Sequence, residues 1–151
     1  MEISIIILCL ILSAFFSGME IAFISSNKIY LEIEKKQDNF ISKILTRLTE
    51  KPSKFIAAML IGNNIALVVY GFFTGDLILK CIIHLGYQFS DYTSLFIQTL
   101  VSTFIVLVTA EFFPKVFFQI YANSLIRIFA VPAYIFYRLF YYISTFFIWI
   151  S

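Results

Sequence analysis

The chain has 151 residues, 61% of them hydrophobic and 13% charged, with a net charge of +2 and a mean hydropathy of +0.93. A soluble domain is about half apolar and about a quarter charged, so no water-soluble fold of this length could hide the excess, and a single all-α domain in a bilayer is expected. Seven of the eleven basic residues fall between positions 28 and 54, with no soluble aromatic surface among them, which argues against a nucleic-acid partner.

The N-terminus, Met1-Glu2-Ile3, lacks the basic region of a signal peptide, and the apolar run behind it is too long for one. A helical span needs about 20 mostly apolar residues. Residues 3–24 meet that length and predict a retained first span, interrupted by Ser13, Ser17, Gly18 and Glu20. Ser13 and Ser17 are one turn apart and share a face, with Glu20 close to it. Small residues there serve close helix packing as readily as they serve a ligand. An intramembrane carboxylate is costly, so Glu20 is either functional or sits at the cytoplasmic interface just beyond the span.

Residues 25–54 are polar. Within them Ile41, Ile44, Leu45 and Leu48 follow helical spacing opposite charges, which predicts an amphipathic helix at the membrane surface that Pro52 stops. Residues 55–79 predict the second span, interrupted by Asn63, Asn64 and Asp76. Gly62-Asn63-Asn64 lies within it. A glycine and two amides at that depth suggest an unwound turn whose carbonyl and amide oxygens face a cavity, or else hydrogen bonds between helices. Asp76 and Lys80 are expected to form a surface ion pair.

The 81–92 loop contains no Lys or Arg, and His84 is expected there as a solvated side chain. The positive-inside rule then places residues 25–54 in the cytoplasm and the N-terminus outside. Cys9 and Cys81 form no CxxC and imply neither a disulfide framework nor a zinc site. Residues 93–113 predict the third span, with Glu111 near its end. Pro114 removes a backbone donor from the Ala110 carbonyl, freeing an oxygen beside a carboxylate, and Lys115 lies one turn from Glu111 and can pair with it.

The remainder is rich in Tyr and Phe. Asn123 or Ser124 is expected to cap a helix, and Pro132 to kink or restart it. Residues 131–150 could form a fourth span, but Arg138 would then be costly, so a helix over 126–151 in the cytoplasmic interface is favoured. The chain ends in a still-apolar stretch, which suggests a segment of a longer protein.

Together these groups offer hydroxyl, amide, carbonyl and carboxylate oxygens with no His or Cys pair nearby. Such a set suits Mg²⁺ or Ca²⁺ rather than zinc or copper. No nucleophile–base pair appears, so a membrane enzyme is not expected.

Three stretches in this order, Ser13-Ala14-Phe15-Phe16-Ser17-Gly18-Met19-Glu20, Leu60-Ile61-Gly62-Asn63-Asn64 and Glu111-Phe112-Phe113-Pro114-Lys115, resemble the transmembrane domain of the CorC/CNNM family of magnesium transporters. The resemblance implies a homodimer in the bacterial inner membrane. Each subunit would have three spans, an amphipathic cytoplasmic linker helix and a juxtamembrane belt helix, with the C-terminus cytoplasmic. It implies Mg²⁺ bound by the hydroxyls of Ser13 and Ser17, the Gly62 carbonyl, the Asn63 amide oxygen and the Glu111 carboxylate, with Gly18, Glu20, Asn64, Pro114 and Lys115 in support. It implies Mg²⁺ export coupled to Na⁺, by alternating access around a midplane site. CBS modules that bind adenine nucleotide would follow the belt helix and are absent from this chain. Two positions depart from the family pattern: Leu67 stands where a further Asn is usual, and Ala110 where Gly precedes the glutamate. A membrane scaffold or sensor that positions such modules without transporting anything is the alternative.

Overall fold

The structure, a computed structural model, describes residues 2–87 and 89–150. Met1 at the expected N-terminus, Gln88 in the expected 81–92 loop and Ser151 at the end of the expected belt helix lie outside the described residues. Eight α-helices and one π-helical turn make up the described fold. These are α1 (Glu2–Ser25), α2 (Lys28–Lys35), α3 (Phe40–Glu50), α4 (Pro52–His84), α5 (Asp91–Val106), the π turn (Leu107–Phe112), α6 (Phe113–Ile120), α7 (Ala122–Ile128) and α8 (Ala130–Ile150). No strand occurs among the described residues, so the fold is all-α as the composition predicts.

Among the described residues three helical stretches are long and apolar enough to cross a membrane, Glu2–Ser25, Pro52–His84 and Asp91–Ile120, the last running through α5, the π turn and α6; the bent pair α7–α8 makes a fourth if it is one span. They match the three predicted spans, but the second and third run further. At about 1.5 Å per residue, the 33 residues of α4 extend about 50 Å against a hydrocarbon core of about 30 Å, so this helix projects beyond the bilayer. His84 is the exposed last residue of α4 rather than part of a loop, because the helix continues past the predicted boundary.

The polar stretch after α1 folds as two short helices. Asn27 caps α2 by accepting from the Ile29 N–H, and Asn39 caps α3 by accepting from the Ser42 N–H. The Ser42 hydroxyl donates to the Lys35 carbonyl at 2.7 Å, which pins the start of α3 to the end of α2. As predicted, α3 is amphipathic: Ile44, Leu45 and Leu48 are buried and Ile41 packs beside them. Pro52 opens α4 in the first turn, where its missing N–H costs nothing.

α7 and α8 meet at a 68° bend around Phe129, and Pro132 sits in the first turn of α8. The pair is therefore a broken helix. Asn123 and Ser124 lie inside α7 and cap nothing of their own. Asn123 instead accepts from the Asn27 backbone N–H at 2.9 Å, tying the end of α1 to α7.

Two apolar clusters hold the bundle. The larger gathers Phe16, Met19 and Ala22 of α1, Leu45 and Leu48 of α3, Phe55 and Met59 of α4, and Ile126 of α7. The smaller joins Ile6 and Cys9 of α1 to Tyr70 of α4. Along α1 the two clusters are separated at Ser13, and along α4 at Asn63, so these two polar residues lie between two apolar clusters.

Candidate functional site

α1 and α4 face each other, and their buried polar residues meet. The Ser13 hydroxyl donates to Asn63 Oδ1 at 2.6 Å, with Ser13 1% and Asn63 6% exposed. One turn on, the fully buried Ser17 hydroxyl donates to the Ala110 carbonyl oxygen at 2.8 Å. Residues separated in sequence by 50 and 93 positions thus form one seam through all three spans.

The third helix reaches Ser17 because its ladder is broken there. Pro114 has no N–H to give the Ala110 carbonyl and would clash with it in a regular helix. The chain responds with a π-helical turn over Leu107–Phe112, in which Phe113 N–H bonds the Val108 carbonyl, five residues back. The predicted free carbonyl beside Glu111 is therefore present, and it is directed at Ser17.

Two glycines set the helix spacing. A Cβ on Gly62 would lie 2.8 Å from the Phe16 ring, and one on Gly18 would lie 2.6 Å from the Phe118 ring. Gly62 lies inside a continuous α4, so the expected unwound turn at Gly62-Asn63-Asn64 is absent; Asn63 Oδ1 instead accepts from the Ser13 hydroxyl, the hydrogen bond between helices that was the alternative. The expectation of two buried amides is also corrected. Asn63 points into the seam, but Asn64, about 100° further round the helix, is exposed.

Glu111 is half-buried and pairs with Lys115 at 3.3 Å, the i, i+4 pair predicted from sequence. It lines a surface groove of the third helix with Lys115 and Gln119. Glu20 is half-buried on α1, and the charges that act on it are those of Lys115 and Glu111. The structure thus builds two adjoining sets, a neutral oxygen seam (Ser13, Asn63, Ser17, Ala110) and a charged cluster (Glu20, Glu111, Lys115). Asp76 and Lys80 pair at 2.7 Å as expected, and Glu2 joins them at 2.8 Å. Leu67 is half-buried on α4.

Among the described residues no group of three or more His, Cys, Asp or Glu side chains is placed to hold a metal ion. Any ion taken by this seam must rely mainly on neutral oxygens. Sequence reasoning found the Ala110 carbonyl through Pro114, four residues downstream; that Ser17 is the group it meets had no signal in the sequence.

Over residues 4–151 the chain matches the family described as the cyclin M (CNNM) transmembrane N-terminal domain. It is 33% identical over 120 residues to a UPF0053 protein of Haemophilus influenzae, covering 80% of this chain and 27% of that protein. It is also 33% identical over 113 residues to the UPF0053 inner membrane protein YfjD of Escherichia coli, covering 75% of this chain and 24% of the relative. The chain spans about a quarter of the length of the curated relatives it matches. With three helices able to cross a bilayer and a family match over nearly its whole length, the chain belongs to the CorC/CNNM family of multi-pass membrane proteins.

Proposed function

We propose that this domain carries Mg²⁺ across the membrane, with the seam between α1, α4 and the third helix as the ion's resting place. The observation that carries the reading is the spacing of its oxygens. Mg²⁺ demands an octahedron with ligands at about 2.0–2.1 Å, so neighbouring ligand oxygens stand about 2.9 Å apart. Ser13 and Asn63 oxygens are 2.6 Å apart, and Ser17 and Ala110 oxygens 2.8 Å apart. Each pair already stands near that spacing. Turning the two hydroxyl protons away would free the oxygens of both pairs for a cation.

Glu111 supplies the charge in this reading. In the absence of the ion its carboxylate is neutralised by Lys115, and an arriving cation competes with the lysine. Glu20, close to both, holds the lysine's charge when it is displaced. Gly62 contributes spacing, and its carbonyl joins the ligands only if α4 opens at that turn. With Na⁺ entry as the drive, as the family resemblance implies, the domain is an exporter. The bacterial inner membrane is the proposed location, in keeping with the inner membrane protein of Escherichia coli that the chain resembles.

Asn64 supports a homodimer. It lies mid-helix in an exposed stripe of α4 with Leu60, Val68 and Phe72. An amide on lipid is costly, and the same residue of a second copy would satisfy it. We further propose that residues 1–151 form the transmembrane module of a longer protein, with α8 as the belt helix at the cytoplasmic surface and nucleotide-binding CBS modules beyond it.

Reconstitution of the domain into liposomes enclosing a Mg²⁺-sensitive dye tests the proposal. Mg²⁺ flux that depends on the protein is expected. Binding without flux would favour the scaffold or sensor reading, and neither binding nor flux would overturn the assignment of the seam.

A further inference from the structure

A second polar site lies away from the seam, at the end of the bundle that carries α2 and α3. A pocket of about 430 Å³ opens between α3 and α8. Arg47, Lys51 and Arg138 line it, and Glu50 is the one carboxylate among its described lining residues. Arg47 donates to the Tyr134 hydroxyl at 2.7 Å, with its guanidinium 5.8 Å from the ring centre, and Arg138 approaches the same hydroxyl. Lys54 adds a fourth cation at the rim, 4.6 Å from the centre of the Tyr141 ring. Three basic side chains thus line one pocket against one acid, and Arg47 is held in place by a tyrosine.

Two features identify the ligand. Lys51 immediately precedes Pro52, the first residue of the second span, so the pocket lies at the boundary where a membrane helix begins. Arg138 also flanks an exposed apolar face of α8, formed by Ile135, Leu139 and Ile143 at helical spacing. A soluble anion would use the cations and leave that face bare. A phospholipid uses both, its phosphate on the fork of the arginines and its acyl chains against the apolar face. Convergent basic side chains at a membrane boundary are a recurrent design for anionic headgroups.

We propose that the pocket between α3 and α8 binds the phosphate headgroup of an anionic phospholipid through Arg47, Lys51 and Arg138. The site is independent of the ion seam. It also gives a role to Arg138, which the ion seam does not employ, and it fastens α8 to the membrane boundary.

Native mass spectrometry of the purified chain, titrated with phosphatidylglycerol or phosphatidylcholine, tests this. Phosphatidylglycerol should bind several-fold tighter. Arg138→Gln should reduce that preference about fivefold, as the loss of one basic residue near an anionic headgroup predicts. Lys43→Gln, on the same end of the bundle but outside the pocket, should leave it unchanged. Helicity by circular dichroism keeps misfolding apart from lost binding, and Arg138→Lys should restore part of the preference. Equal binding of the two lipids would overturn the proposal and leave the pocket to an acidic protein segment. An equal loss in Lys43→Gln would reduce it to general surface charge. Displacement of phosphatidylglycerol by millimolar inorganic phosphate would make it a soluble-anion site.

Discussion

The Ser17 hydroxyl donates to the Ala110 carbonyl oxygen at 2.8 Å, and Ala110 is the residue whose helical acceptor bond Pro114 removes. A defect in the third helix and a polar group in the first are therefore one feature. The proline exposes the carbonyl, the π turn directs it, and the serine satisfies it.

Ser17→Ala should separate the two uses of that hydroxyl. Hydrogen bonds between membrane helices average about 0.6 kcal/mol and reach about 1.7 kcal/mol, so the fold should survive with a small drop in thermal midpoint. Mg²⁺ affinity should fall by about tenfold, or roughly 1.4 kcal/mol. Titration calorimetry checks the second figure. An unchanged affinity with reduced stability would return Ser17 to helix packing.

Lys115→Met should leave Glu111 without its internal cation. Mg²⁺ should then bind more tightly than to the wild type, because the ion no longer displaces the lysine. Thermal stability should fall, and the double variant with Glu111→Gln should recover it, since neither charge is then stranded. A looser site in Lys115→Met would mean that the lysine helps to shape the site rather than compete for it.

Gly18→Ala should damage packing without touching charge. The added Cβ meets the base of the Phe118 ring as well as its edge, so the ring cannot swing clear, and α1 must part from α6. Overpacking of this kind costs about 1–3 kcal/mol. The expected signature is a lower unfolding midpoint with Mg²⁺ affinity reduced only as far as the seam is pried open. Wild-type stability would show that α6 is free to move.

The three spans were legible because apolar length is a strong signal, and the amphipathic α3 because Ile44, Leu45 and Leu48 recur at helical spacing. Ser13, Ser17, Asn63 and Glu111 could be singled out because polar groups are expensive at depth. Which of them touch was not legible. Asn63 and Asn64 are neighbours in sequence, yet helical rotation buries one and exposes the other, and only the packing of α1 fixes which. The unwound turn at Gly62 was over-read: glycine there makes room for Phe16, a long-range contact with no local signature. The π turn was legible only in part, through Pro114. The bend at Phe129 was anticipated at Pro132, but the bond that ties α7 to the end of α1, from the Asn27 N–H to the Asn123 side chain, joins residues 96 positions apart.

Asn64→Leu should weaken the proposed dimer. It replaces an exposed amide by an apolar group and removes the same interaction twice across a twofold axis. Crosslinking in native membranes should show less dimer, while the monomer keeps its helicity. Undiminished dimer would place the interface elsewhere, with the scarcely buried third helix as the next surface to test.

The central claim is that the seam and Glu111 together form a Mg²⁺ site, and isothermal titration of Mg²⁺ into the purified domain, wild type beside Glu111→Gln, tests it most directly. The substitution keeps the shape and one oxygen while removing the charge. A divalent ion that leaves water loses hydration that neutral oxygens recover poorly. The wild type should bind Mg²⁺, and Glu111→Gln should fold and dimerise with no measurable binding. Wild-type affinity in the variant would contradict the account and leave Glu111 as the ion-pair partner of Lys115.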